Sequence, residues 1–482
     1  MYHAYVTKLE NVRKHPNADR LLLADCFGNT VCISLDFTEG QTVIYFPTDG
    51  QLSAEFAHAN HLCRKDVNGQ PDTGYLDPDK RNIRAIKLRG EKSDGLAMPL
   101  SCLEAFGDIS TLRVGDTIDV FNGHEICKKY IPRGRKSGPH TDGNRVRKKK
   151  APIAPLFLEH ADTEQLAYNL AAFKPGDLIE ITLKVHGTSQ RTGYLPVLKG
   201  YKRTLWDRIK RREGTPIYDW GYVTGTRRVV LETYEGGFYG NNGFREPHAK
   251  FFEGKLWKGE EVYYEVCGFT DTGAPIMPSV SNKPTNDKDF IKRYGETTTF
   301  SYGCEPKERE EVEYWDDEKT QPAFVHTTVP QSRIFVYRMT MTNPDGEVVE
   351  YTPDFMRYRC ALMGVECVPV LAKVYTHDNG DGHAIFSIFE SNHEAYGGGC
   401  IMADFGKSII KIAEDYYDGP DPIGKTHVRE GVVVRIVNRP KFTAYKHKNF
   451  FFKVIEGIAK DTAVAPDMEE AEEVVEDEVS IS

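Results

Sequence analysis

The residues best suited to chemistry lie in Leu178-Ile-Glu-Ile-Thr-Leu-Lys-Val-His-Gly-Thr-Ser189. Ile179, Ile181 and Leu183 alternate, as the buried face of a strand does. Lys184 follows on the opposite face, and Gly187 then turns the chain. Thr188 and Ser189 can offer hydroxyls and backbone N–H groups to a phosphate. A lysine at a strand end beside a glycine turn suits a nucleophile, provided that some neutral amine exists near pH 7. Taken alone, the pattern also describes an ordinary surface lysine. Far downstream, Lys446 and Lys448 alternate with His447, so on a strand both ammonium groups face one side and can meet phosphate oxygens.

Lys184-Val-His186-Gly187-Thr-Ser resembles the first motif of the covalent nucleotidyltransferases in the form used by nick-sealing RNA ligases related to phage RNA ligase 2. The remaining family motifs follow in order. Thr226-Arg227-Arg228-Val229 sits where an arginine motif belongs, with either arginine as the counterpart. Val262-Tyr-Tyr-Glu265-Val-Cys-Gly268 resembles the third motif, and Ile334-Phe335-Val-Tyr337-Arg-Met339 the aromatic motif after it. Arg429-Glu430-Gly-Val-Val-Val-Arg435 matches the fourth, and Ala444-Tyr-Lys446-His-Lys448-Asn449 the fifth. Each is weak singly, but six in order between Lys184 and Asn449 are a specific signal.

The resemblance implies an ATP-dependent RNA ligase. Lys184 would take AMP from ATP, with Glu430, Lys446 and Lys448 completing the catalytic set. His186, Gly187, Arg227 or Arg228 and Glu265 would bind the nucleotide. Tyr337 would stack on adenine, with Phe335 as the second candidate. Glu265 and Glu430 would hold Mg²⁺ or Mn²⁺ or its waters, and Glu265 could instead bond the ribose. Two positions depart from the pattern: His186 stands where DNA ligases and capping enzymes carry an acid, and Leu183 where related RNA ligases often have Glu.

These residues need elements to place them. At 482 residues, the chain can hold two or three domains of roughly 100 to 200 residues each. From 1 to 127, short strands between turns suggest a small OB-like β-barrel that binds RNA. There His15-Pro-Asn-Ala-Asp19 resembles the opening of tRNA-binding modules. From 151 to 460 the pattern without a βαβ rhythm favours an α+β nucleotidyltransferase domain with antiparallel sheets. A polar insertion at about 270–331 has local structure of its own. Residues 128–150 carry ten Lys or Arg against Asp142, a basic linker that could contact phosphates, remain merely solvated, or serve as a nuclear-localisation patch. Residues 461–482 hold nine acids and no base, and account for the whole formal charge of -9. That tail reads as disordered.

A barrel before the catalytic domain, with only a short segment after the fifth motif, is similar to the N-terminal-OB class of RNA ligases (family five-like). DNA ligases and capping enzymes carry that domain behind instead. The expected substrate is nicked duplex RNA, with an RNA/DNA hybrid also considered, joined between 3′-OH and 5′-phosphate ends. A GTP-dependent capping-type guanylyltransferase and a non-catalytic RNA-binding protein are the alternatives. No apolar run reaches the ~20 residues of a membrane span, the start lacks a secretory apolar segment, and scattered cysteines suggest free thiols. The expectation is a soluble intracellular protein, cytoplasmic or nuclear, with no membrane or protein partner.

Overall fold

The computed structural model describes residues 2–131, 151–160, 163–210, 214–227, 229–231, 234, 243–277, 283–284, 288–295, 297–298, 300, 302–305, 307–316, 321–329, 331–378, 384–391, 400–402, 405–425 and 427–462. Most of the basic segment (132–150), the tail from 463 and Arg228 lie outside them. The fold is mixed α+β with antiparallel sheets, and the described residues fall into two units, one within Met1–Arg133 and Lys448–Val464, the other within Gly134–His447.

In the first unit, β-rich runs form short strands around a core that includes Val6, Ile44, Phe46, Phe56, Leu103 and Phe106. Strand Ala4–Lys8 lies between Thr117–Ile118 and Thr42–Phe46, and Leu96–Pro99 pairs with the latter. Glu10–Lys14, Leu22–Cys26 and Asn29–Ile33 form a separate meander. The expected barrel is not closed: the described strands here are divided among five small sheets. The His15–Asp19 turn has a structural task. His15 Nε2 lies 3.0 Å from the Leu88 carbonyl, and Asn17 Nδ2 donates to that of Arg89 at 3.0 Å. They brace a two-residue hairpin turn with positive φ at both Arg89 (48°) and Gly90 (94°), the geometry that matches strand twist but costs a non-glycine residue. Helix Phe450–Thr462, which the sequence reading placed in the catalytic domain, belongs to this unit; Lys453 pairs with Asp94 at 2.7 Å.

The second unit holds two larger sheets. One orders Glu164–Gln165, Thr443–Lys448, Gly431–Ile436, Leu178–Leu183, Val370–Asp378, Ala384–Ser391 and Cys400–Met402. The other orders Thr215–Gly225, Thr188–Lys202, Glu260–Gly268, Ser332–Thr342 and Val348–Glu350, antiparallel throughout. Ile179, Ile181 and Leu183 are buried as their alternation requires. Glu180 on the other face is buried too, held by Arg357 through two hydrogen bonds at 3.0 and 2.8 Å. Glu350 links the sheets by accepting from Arg338 of one and Arg435 of the other. Within 270–331, helix Lys288–Tyr294 and the hairpin Lys307–Asp316/Gln321–Val329 form local structure.

Arg359 on helix Pro353–Met363 makes a two-pronged pair with Glu260, both contacts 2.7 Å, with side chains 3% and 0% exposed. Breaking one half of such a pair strands a buried charge. Arg359→Ala is expected to lower stability by about 3–5 kcal/mol, read as a lower urea midpoint with an unchanged m-value.

Candidate functional site

The chain passes from one large sheet to the other through Lys184-Val185-His186-Gly187, so this segment lies where Leu178–Leu183 ends and Thr188–Lys202 begins. Its backbone is fixed at both ends. The Lys184 N–H donates to the Gly431 carbonyl at 3.0 Å, and that of His186 to the Tyr302 hydroxyl at 2.8 Å. A Cβ on Gly187 would sit 2.4 Å from the Val266 carbonyl oxygen and 2.9 Å from Glu265 Cγ. Glycine is therefore required for the turn to press against the Glu265 strand.

The ionic centre is Glu430, with its side chain only 4% exposed. Its Oε1 is 2.7 Å from Lys184 Nζ and its Oε2 3.2 Å from His186 Nδ1, a contact that puts the imidazole proton on Nδ1. Lys184, 23% exposed, is the solvent-facing member. Behind them, Tyr302 is fully buried; desolvation first, then the nearby Asp421 charge, pushes its phenol pKa up and keeps it a neutral hydroxyl. Phe300 packs edge-on to His186 with centroids 5.0 Å apart.

Glu265, half-buried, lies opposite Ser189 on one neighbouring strand and Phe335 on the other. The register then slips: Tyr264 pairs with Val336 but Tyr263 with Arg338, so Tyr337 is the extra residue of a β-bulge. Bulges re-aim side chains, and the Tyr337 hydroxyl reaches Ser189 Oγ at 2.9 Å. Phe335 is 2% exposed and covered by Arg333 and Tyr302, so it offers no open face for stacking in this structure. Tyr337, half-buried, does not share that burial.

Arg227 is half-buried after strand Thr215–Gly225, its carbonyl accepting from the His160 N–H at 2.9 Å. On strand Thr443–Lys448, His447 is buried while Lys446 and Lys448 are half-buried, as alternation requires. Strand Gly431–Ile436 separates this strand from Leu178–Leu183, an offset of about 10 Å at the usual interstrand spacing. Lys448 is paired with Glu456 on the following helix at 2.7 Å. Thus Lys184, His186 and Glu430 touch, Gly187 abuts Glu265, and Tyr337 joins the first hydroxyl-bearing residues after the turn. Among the described residues no group of three or more His, Cys, Asp or Glu forms a metal-binding cluster.

Two residues escaped the sequence reading. Tyr302 comes from the polar insertion, where one aromatic among many carries no mark. Arg245, 5% exposed, donates to the Ser189 carbonyl at 3.0 Å and to Thr188 Oγ1 at 2.8 Å. Its only trace is a charge opening helix Arg245–Phe251. Arg245→Met would leave those acceptors buried, and is expected to cost about 2–4 kcal/mol, checked by chemical denaturation.

No family model matches this sequence, and no curated protein matches it. Among solved structures the chain is similar to Naegleria gruberi RNA ligase. A lysine-to-methionine variant with AMP and Mn superimposes at TM-score 0.50 and 14% identity, over 93% of this chain and 97% of that one. The fold is similar to that of an RNA ligase. A glutamate-to-alanine variant with ATP and Mn gives TM-score 0.50 and 15% identity, over 93% and 98% of the respective chains. At such identity the likeness is one of fold. No helix among the described residues is long and apolar enough to cross a membrane, and the nine cysteines whose side chains are described are free thiols.

Proposed function

We propose that this chain is an ATP-dependent RNA ligase joining 3′-OH and 5′-phosphate ends, at nicks in duplex RNA, through a lysyl-AMP on Lys184. The observation that carries this reading is the contact of Lys184 Nζ with Glu430 Oε1 at 2.7 Å, where the chain passes between the two large sheets of an RNA-ligase-like fold. Glu430 stands where it can receive a proton from the amine. The amine attacks the α-phosphorus of ATP, an N–P bond forms, and the bond to pyrophosphate breaks. An RNA 5′-phosphate oxygen then displaces the lysine, giving a 5′-5′ pyrophosphate. Finally the 3′-OH attacks the RNA phosphorus and AMP leaves.

The protein's task in each step is positioning and charge stabilisation. Lys446 and Lys448 supply cationic donors for phosphate oxygens, and Lys448 must exchange Glu456 for phosphate to do so. Arg227 or Arg228 contributes a further guanidinium. Tyr337 offers the adenine its ring, and Gly187 lets the turn approach the nucleotide closely. Mg²⁺ or Mn²⁺ would be held by the hard carboxylate oxygens of Glu265 and Glu430, since such ions bind one or two carboxylates beside waters and substrate phosphates. Bound there, the ion would neutralise phosphate charge. The Naegleria gruberi enzyme was solved with ATP, AMP and Mn, which supports the same ligands here. The first unit and the basic segment 128–150 would contact the RNA backbone by shape and charge. We place the enzyme inside the cell, where ATP and RNA occur.

The test is incubation with α-labelled ATP, and separately GTP, with Mg²⁺ or Mn²⁺, then a denaturing gel, then addition of nicked duplex RNA. Label from ATP that chases into sealed RNA is expected. Label from GTP alone would identify a guanylyltransferase, and no label on folded protein an RNA-binding protein.

A further inference from the structure

The strand that leaves the Lys184 turn, Thr188–Lys202, is far longer than its sheet needs. Glu260–Gly268 pairs with it only from Thr188 to Gly193, whereas Thr215–Gly225 stays paired to Lys202. Beyond Tyr194 this is a two-stranded ribbon. Residues 152–157 cover its middle: the Leu198 N–H donates to the Ile153 carbonyl at 2.7 Å, and Ala154 and Phe157 pack with Leu195, Val197 and Val223. From Thr188 to Lys202 the strand spans about 45 Å at the usual rise per residue.

At the tip, helix Leu205–Ile209 exposes Leu205 (76%), Trp206 (69%) and Ile209 (71%). Large apolar side chains clustered in water mark a contact surface. Residues 199–210 also carry Lys199, Lys202, Arg203, Arg208 and Lys210 against a single acid, Asp207. Asp207 is engaged at the helix start, accepting from the Thr204 N–H and hydroxyl at 2.9 and 2.6 Å. Lys210 Nζ lies 5.7 Å from the Trp206 ring centroid. A cation-rich segment carrying an exposed indole fits a nucleic acid strand, because the bases stack on the ring and the phosphates meet the cations.

We infer that this ribbon tip is a second RNA-binding site, which takes single-stranded RNA flanking the joined ends, with a base stacked on Trp206 and phosphates on Lys199, Lys202 and Lys210. The choice of RNA over other occupants rests on the ligase reading above together with the tip's charge.

The test uses the full chain with nicked RNA duplexes that are either blunt or carry single-stranded overhangs on both arms. Affinity is measured against KCl concentration, and self-labelling by α-labelled ATP is followed in parallel. Trp206→Ala is expected to weaken overhang binding by about 5-fold or more and to leave blunt binding, thermal unfolding and ATP labelling unchanged. Replacing Lys199, Lys202 and Lys210 by alanine should flatten the log–log salt dependence by roughly 2. Overhang binding unaltered in both variants overturns the site. So does Trp206-dependent binding to phosphatidylserine-containing vesicles, or Trp206-dependent self-association, without an effect on RNA. A chain that takes no label from ATP would defeat the ligase reading, while the RNA titrations would still judge the tip.

Discussion

Lys184→Ala is expected to leave the chain unlabelled by α-labelled ATP, a loss of at least about 10³-fold, because the amine itself becomes half of the new N–P bond. The fold should persist. Strand Leu178–Leu183 is paired through its backbone on both sides, and the Lys184 N–H contact with Gly431 is also made by backbone. Thermal unfolding near that of the native chain would show this. Lys184→Arg makes the test sharper: it can keep a cation beside Glu430, yet a guanidinium stays protonated and is no nucleophile. A third arm supplies an RNA strand that already bears the 5′-5′ AMP. Sealing it needs only 3′-OH attack and AMP departure, so both variants should retain that step while failing the first. Persistent labelling of the alanine variant would move the nucleophile elsewhere and end the present assignment.

The part of this site legible in sequence is the part that local periodicity or a run of motifs can carry. Alternation placed Ile179, Ile181 and Leu183 inward, and the structure has them buried. It also set Lys446 and Lys448 opposite His447. What alternation cannot express is a partner. The same rule puts Glu180 on the opposite face from Ile179 and Ile181, yet it is buried against Arg357, because the strand is covered on both faces. Lys448 looked available for phosphate but pairs with Glu456. Lys184 and Glu430 meet across 246 positions of chain, and only the order of motifs joined them; no spacing rule does.

Closure of a sheet and slips in register are set by tertiary packing, which explains the two clearest differences. Short strands between turns in the first unit were legible, but whether they close depends on how many neighbours each finds, and the described ones stay in five sheets. A perfectly regular strand would put Phe335 and Tyr337 on one face. The bulge at Tyr337 breaks that equivalence, burying Phe335 beneath Tyr302 and Arg333 while Tyr337 reaches Ser189. Arg228, the segment 132–150 and the tail from 463 lie outside the described residues.

Glu430→Gln is expected to lower the rate of self-adenylylation by about 10²–10³-fold, the range found when one preorganised electrostatic group is removed. The amide has the shape of the acid but not its charge, and one of its two ends must be a donor. Turned toward Lys184, the NH₂ group opposes the ammonium now 2.7 Å from the carboxylate; turned toward His186, whose Nδ1 lies 3.2 Å from the other oxygen, it needs the imidazole proton moved to Nε2. Either orientation removes the negative charge that holds the lysine against the turn. Glu430→Asp retains the charge, but its shorter side chain cannot span both partners, so it should fall between native and Gln. Comparing labelling rates at saturating ATP with apparent ATP affinity then separates two roles. If Glu430 acts on the reacting amine, the maximal rate falls while ATP affinity changes little. If its work is mainly to hold a divalent ion with the phosphates, raising Mn²⁺ should restore much of the loss in Glu430→Asp. Native rates in Glu430→Gln would reduce Glu430 to a buried acceptor for the turn and remove it from the chemistry.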